Sequence, residues 1–337
     1  MSDYTISPMT THGTGAEIRG VDLAKPIDAV LIKKLNAEFA KYHVLVFRDQ
    51  KMSAAQFAAA GEIFGPLLSQ HHKDVRATGH PEVFEIRNTE VAPGEYRISG
   101  GSWHTDHSNH PCPPRATALH TVTLPSYGGD TQFVNMHLAY DELTADMKRR
   151  IEGLKAIHAW ESRYTPRKMR KLSEDSAKVL PPPGIHPLVR VHPENGGKFL
   201  YLNPVRIDGI IGMEDGPAMA LVNELIAHAT QQKYEYRHKW VMGDMVIWDD
   251  RSVMHQANGD YDMKEVRYLY RIMVQDNPAL WAAEAKKPGT PLLHEAGKVC
   301  CGVGLHRRVH KLCGAGGGHL PHPPRAHDLP QRTRRHH

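Results

Sequence analysis

The chain has 337 residues, 40% hydrophobic and 23% charged, which is ordinary globular usage and excludes wholesale disorder. No apolar run approaches the roughly 20 residues that cross a bilayer, and Met1-Ser2-Asp3-Tyr4 opens no basic-then-apolar leader, so neither a membrane span nor a secretory signal is expected. The net charge of +5 is a property of the tail, because residues 296–337 hold eight Lys/Arg against one Asp and leave −2 for the rest, which gives no sign of a nucleic-acid partner.

In chain order, Val44-Leu45-Val46-Phe47 reads as a short buried strand ending in the turn Arg48-Asp49-Gln50. Ser53 is placed to N-cap a helix running through Phe57 to Phe64, where Gly65-Pro66 stops it. Residues 87–102 and 162–184 are polar or rich in Pro and Gly and read as long loops, the kind that serve as lids. Leu138, Leu143, Met147 and Ile151 predict one helix over 137–153. Asp215 to Thr230 predicts another, with Pro217 in its first turn. Met245–Trp248 and Tyr268–Val274 read as strands. Four cysteines, three of them in the tail, are too few for a disulfide scaffold and suit reduced thiols in the cytoplasm.

The informative stretch is Ser102-Trp103-His104-Thr105-Asp106. In an extended segment, residues i and i+2 share a face, so His104 and Asp106 would present an imidazole and a carboxylate together. Those are two members of the facial set of two His and one carboxylate that leaves the opposite face of an octahedral ion open. His255, downstream of the buried strand at Met245–Trp248, is the candidate for the third member; a structural, hydrogen-bonded histidine is the competing reading. Arg267 and Arg271 are four apart in a strand-like segment and so share a face. Turned inward they need anionic partners, and a guanidinium fork suits a carboxylate; turned outward they would be merely solvated. Gly128-Gly129-Asp130-Thr131 allows a tight turn that delivers a Thr hydroxyl, although an ordinary hairpin would look the same.

These pieces, with Gly15–Leu23, Val44–Gln50, Leu124–Thr131, His186–Pro193 and Ile247–Arg251, occur in an order that resembles the taurine/2,4-dichlorophenoxyacetate dioxygenase family of iron(II)- and 2-oxoglutarate-dependent oxygenases. The resemblance covers about residues 5 to 280. It implies a mainly β, α+β fold, a double-stranded β-helix (jelly roll) with flanking helices. It also implies Fe(II) held by His104, Asp106 and His255, and 2-oxoglutarate held by Thr131 and Arg267, with O2 as cosubstrate. Oxidative decarboxylation to succinate and CO2 would then be coupled to hydroxylation of a substrate carbon. Arg271 matches the position that meets the sulfonate in the taurine enzyme.

The substrate pocket departs from the taurine pattern. Gln70 stands at the position of a substrate-facing His, which His71 or His72 reaches only with a shift, and Lys73 stands at that of a Tyr. Gly100 replaces an Asn that meets the amine, and His107 replaces an aliphatic residue. The expectation is therefore a small anionic organic substrate such as a sulfonate, alkyl sulfate or aryloxy acid, with Arg271, His71 and His107 as candidate contacts. An oxygenase acting on a biosynthetic intermediate and a degenerate jelly-roll binding protein are the alternatives. Trp240, Trp248, His158, His186 and His192 are assigned structural or surface places. Residues 1–295 are expected to form the catalytic domain and 296–337 a disordered or non-native basic tail; oligomeric state is left open. The tail's Cys300, Cys301, His306, His310 and Cys313 fit no regular zinc spacing.

Overall fold

The structure is a computed structural model that describes residues 4–69, 76–92, 95–166 and 180–285. The expected lid over 162–184, in its residues 167–179, and the whole of 296–337 lie outside that set, as does His71.

The major sheet has eight strands in the order Thr5–Pro8, Ala16–Arg19, Val44–Phe47, Met245–Asp249, Ala116–Thr123, Tyr268–Val274, His80–Arg87 and Arg76–Ala77. All its pairings are antiparallel except Ala16–Arg19 with Val44–Phe47. A smaller sheet runs Glu235–His238, Thr131–Asn135 and Val253–Ala257. Side chains from the two sheets meet in one core cluster: Val44, Val46, Leu119, Val246, Trp248 and Leu269 from the major sheet against Phe133, Tyr236 and Val253 from the smaller. This is the jelly-roll arrangement that the motifs implied.

Strand alternation explains how the major sheet serves two cores. Val44 and Val46 face the smaller sheet, whereas Leu45 and Phe47 join Met245, Ile247, Ile272 and Val274 in a cluster with Leu35, Phe39 and Phe57 of two covering helices. Complete burial of a side chain such as Phe47 contributes about 1.5–3 kcal/mol. The first covering helix, Ala29–Tyr42, is capped by Asp28, whose side chain accepts from Leu31 N–H. It stops at His43, which turns left-handed at φ 63°. The second, Ala54–Glu62, has the Ser53 cap expected, completed by Gln56 into a reciprocal capping box. The helix Asp215–Ala229 also forms as expected and buries Leu221 and Leu225 in an outer cluster.

Two local expectations fail. The single helix over 137–153 is two helices, Met136–Asp141 and Ala145–Ile151. Asn135 and Thr144 each cap one of them, so the Thr at 144 restarts the helix where an unbroken apolar spacing suggested continuity. The stretch 87–102 is not a plain loop, because Thr89–Ala92 and Glu95–Arg97 pair as an antiparallel hairpin. No helix among the described residues is long and apolar enough to cross a membrane.

Candidate active site

His104, Asp106 and His255 converge. All three are buried, and one donor atom from each lies within 4.8 Å of the others. The strand Val253–Ala257 carries His255 at its centre, and His104 pairs with it across a two-hydrogen-bond bridge of 3.0 and 2.8 Å. That backbone pairing sets the two rings on one side with centroids 4.2 Å apart. His104 Nδ1 lies 2.7 Å from the Ser102 carbonyl, which can only accept; Nδ1 therefore carries the hydrogen and Nε2 presents its lone pair. Nε2 is 3.7 Å from Asp106 Oδ1. Gly100, at φ +79°, lies so close that a Cβ there would sit 3.1 Å from His104 Cε1, so the glycine clears room for the ring.

Burial works to raise the Asp106 pKa. The Arg271 guanidinium first, then the rings of His255, His104 and His107, outweigh it and hold the carboxyl well below the carboxylate range. Asp106 Oδ2 accepts from the Thr117 hydroxyl at 2.9 Å and lies 3.8 Å from Arg271 Nη1. His107, next along the chain at φ 47°, sets its ring against that of His110 at a centroid distance of 5.4 Å, and its pKa is pushed down to about 3 chiefly by burial.

Arg267 and Arg271 do share a face of the strand Tyr268–Val274 and its lead-in. Leu269, between them, packs in the core between the sheets, while Ile272 and Val274 point to the covering helices. Arg271 reaches Asp106, as above. Arg267 is buried and its Nε donates to the Gly129 carbonyl at 3.0 Å. Its Nη2 is buried with no hydrogen-bond partner among the described residues, and burial lowers its pKa. A guanidinium so placed is electrostatically incomplete and suits an incoming carboxylate. Gly128 and Gly129 both take positive φ, and the turn leads into Thr131, whose buried hydroxyl accepts from Trp240 Nε1 at 3.1 Å.

The donor set fits a ferrous ion: two imidazoles and a carboxylate held well below its ordinary pKa, with a buried cation nearby for an anionic cosubstrate. Two further contacts were not singled out from sequence. Asp250 lies 2.6 Å from the Thr117 hydroxyl and accepts from Trp248 Nε1 at 3.0 Å. Burial, with Asp106 second, raises its pKa well above the carboxylate range. The Asp249-Asp250 doublet at the end of a buried strand was the available signal. Trp240 is a hydrogen-bond donor to Thr131 and not packing alone, whereas Trp248 stands beside the site, its ring 4.7 Å from that of His255. His158, His186 and His192 are all buried, which excludes the surface reading and keeps the structural one.

A second trio, His43, His137 and His192, also brings donor atoms within 4.8 Å. Its chemistry differs. His192 Nε2 is 2.9 Å from Asp249 Oδ2, and the Arg251 guanidinium lies 3.3 Å from the same nitrogen, so a fixed cation already stands where an ion would have to enter.

Comparison with known proteins agrees with this geometry. Residues 5–273 match the family described as "Taurine catabolism dioxygenase TauD, TfdA family". The chain is 33% identical over 276 residues to the alpha-ketoglutarate-dependent 2,4-dichlorophenoxyacetate dioxygenase of Cupriavidus pinatubonensis, covering 78% of this chain and 94% of that protein. It is 31% identical to the alpha-ketoglutarate-dependent sulfate ester dioxygenase of Pseudomonas putida (73% and 82% covered). It is 27% identical to pentalenolactone F synthase of Streptomyces arenae (83% and 99% covered). A taurine dioxygenase from Burkholderia xenovorans superposes with a TM-score of 0.69 at 33% identity, covering 81% of this chain and 90% of that one. A structure described as AAD-2 in complex with Mn(II) and N-oxalylglycine superposes at 0.68 and 27% identity (82% and 98% covered). With a match running through almost the whole described core, and the paired sheets placing the motif residues together, the chain belongs to the TauD/TfdA dioxygenase family.

Proposed function

We propose that this chain is an Fe(II)- and 2-oxoglutarate-dependent dioxygenase that hydroxylates a small anionic organic substrate, releasing succinate and CO2. The observation that carries the reading is the convergence of His104, Asp106 and His255 within 4.8 Å, buried between the sheets. In this reading those three side chains hold the iron, and Arg267 with Thr131 holds the distal carboxylate of 2-oxoglutarate. Bound there, iron with 2-oxoglutarate and O2 supplies the oxidising chemistry. The chain's own part is to bind, orient and exclude water. The Ser102 carbonyl fixes the His104 tautomer, and Trp248 and Phe133 wall the His255 ring, at centroid distances of 4.7 and 6.3 Å. Residues 1–295 form the catalytic domain in this reading, with 296–337 an appended basic tail and the cytoplasm as the working location.

Arg271 is the proposed anchor for the substrate's negative group, with His107 as a neutral neighbour. Its Nε is buried without a hydrogen-bond partner among the described residues, which supports a further anion at this side chain beyond Asp106. The sulfonate, alkyl sulfate and aryloxy acid classes all supply such a group. A biosynthetic intermediate is the second reading, favoured by the similarity to pentalenolactone F synthase over 83% of this chain.

The test is succinate release from 2-oxoglutarate with Fe(II) in air, across a panel of sulfonates, alkyl sulfates, aryloxy acids and a lactone. Strong stimulation by one anionic class supports the reading. Stimulation by the lactone alone favours the biosynthetic one, and no iron-dependent succinate from folded protein defeats both in favour of a degenerate site. Arg271→Ala should cut substrate-stimulated turnover while leaving slow uncoupled 2-oxoglutarate decay. Loss of both at full iron content would assign Arg271 to the cosubstrate instead.

A further inference from the structure

The two oxygens of Asp106 have different surroundings. Oδ1 faces His104 Nε2 at 3.7 Å. Oδ2 points the other way, into the major sheet, and accepts the Thr117 hydroxyl at 2.9 Å. Thr117 is fully buried in the strand Ala116–Thr123, paired to Trp248 on one side and Met273 on the other, so its side chain has a fixed direction. The same hydroxyl lies 2.6 Å from Asp250 Oδ2, and Asp250 is itself pinned by Trp248 Nε1 at 3.0 Å. A hydroxyl has one hydrogen and two lone pairs, so it can give to one carboxyl group while receiving from the other. The chain thus runs Trp248, Asp250, Thr117, Asp106, all buried; the first three come from the major sheet and the turn that ends its strand at Asp249, and Asp106 from the turn after His104.

A carboxylate can meet an ion through one oxygen or both. With two imidazoles already in place, a one-oxygen carboxylate leaves three of six octahedral positions, enough for a two-point keto-acid chelate and O2. A two-oxygen carboxylate leaves one fewer, and the chelate and O2 then compete. We propose that Thr117, backed by Asp250, is a positioning residue that ties up Oδ2 of Asp106, so that the carboxylate offers the ion Oδ1 alone. The inference rests on reading His104, Asp106 and His255 as the ligand set. It differs from a purely structural role for Thr117, which would affect stability and not the number of open positions.

The test uses the full chain loaded with Co(II) in place of iron, comparing Thr117→Val, which keeps the shape and removes the hydroxyl, with Thr117→Ser, which restores it. Thr117→Val should still bind one Co(II), with an altered visible absorption spectrum. Its affinity for 2-oxoglutarate, titrated anaerobically on the cobalt protein, should fall by about 10-fold or more. Thr117→Ser should return both readouts to those of the parent. An unchanged spectrum and unchanged 2-oxoglutarate affinity in folded Thr117→Val overturns the proposal, as does failure of Thr117→Ser to restore them. If Thr117→Val does not fold, Thr117→Ala is read by the same two measurements and the same criteria. Failure of the underlying site looks different: Co(II) binding in the parent that survives His104→Ala means the ion is held elsewhere.

Discussion

The two buried histidine clusters can be set side by side. His104, Asp106 and His255 bring donor atoms within 4.8 Å, and so do His43, His137 and His192. In the first, the carboxylate's cationic partner, Arg271, sits on the far oxygen at 3.8 Å, while the near oxygen faces an imidazole nitrogen whose hydrogen is fixed on the other side of the ring. In the second, Arg251 bonds Asp249 through Nε at 2.9 Å and Nη2 at 2.7 Å, the latter on the oxygen that His192 also meets. Glu194 closes the other edge of Arg251 at 3.1 Å. His137 Nδ1 gives its hydrogen to the Lys198 carbonyl, and His43 Nδ1 lies 3.2 Å from the Ser252 hydroxyl. The donor distances are alike in the two places, although the second trio is three imidazoles with no carboxylate among them. The difference is the charge already present: one cluster has an anion facing lone pairs, and the other has its anions committed to a guanidinium.

The largest expected effect breaks the comparison if it goes wrong. His104→Ala should remove bound iron and lower iron-dependent succinate formation by more than about 100-fold, beyond the loss expected for an outer-shell change. His137→Ala should leave the metal-to-protein ratio unchanged. A ratio that drops in His137→Ala and holds in His104→Ala would reverse the assignment.

Next in size is Arg251→Ala. It strands Asp249, which is fully buried, without its main cation, and should lower stability by about 3–5 kcal/mol. Denaturant titration reads that loss, while metal content per folded molecule should be unaltered. If the variant kept its stability but lost iron, the second cluster would be serving the first.

The smallest effect concerns pH. Burial first, then the neighbouring His137 ring, push His43 down to about 3 from its ordinary 6.5. Above pH 6.5 both folded and unfolded chains hold it neutral, and it contributes no pH dependence. Below 6.5 the unfolded chain takes up a proton that the fold refuses, so stability falls by roughly 1.4 kcal/mol per pH unit from this group, down to about pH 3. His43→Asn tolerates the left-handed backbone at φ 63° and should flatten that slope between pH 6.5 and 5. An equally steep slope in the variant would place the pH sensitivity elsewhere, and would leave the second cluster without its proposed aversion to added positive charge.

Much of this was legible from local spacing. The capping box at Ser53, the all-buried strand at Val44–Phe47 and the shared face of Arg267 and Arg271 are each encoded within a few residues. The order of the motifs was enough to name His104, Asp106 and His255 together. The break between Asp141 and Ala145 was misjudged because apolar periodicity continued through Leu143, and a capping Thr144 outweighed it. The hairpin at Thr89–Arg97 was missed because a short, polar two-stranded ribbon carries little hydrophobic signal.

By itself, then, the sequence determined the chemical types at the site, the faces of its strands and the starts of its helices, since each depends on neighbours along the chain. Which groups each oxygen of Asp106 meets, and which histidine trio has a guanidinium against it, were decided only by tertiary structure. Thr117 meets Asp250 across 133 residues and Asn135 lies beside Thr14 across 121. Hydrogen-bond completion and charge balance in a buried place depend on every group folded against it, and those groups arrive from strands far apart in sequence.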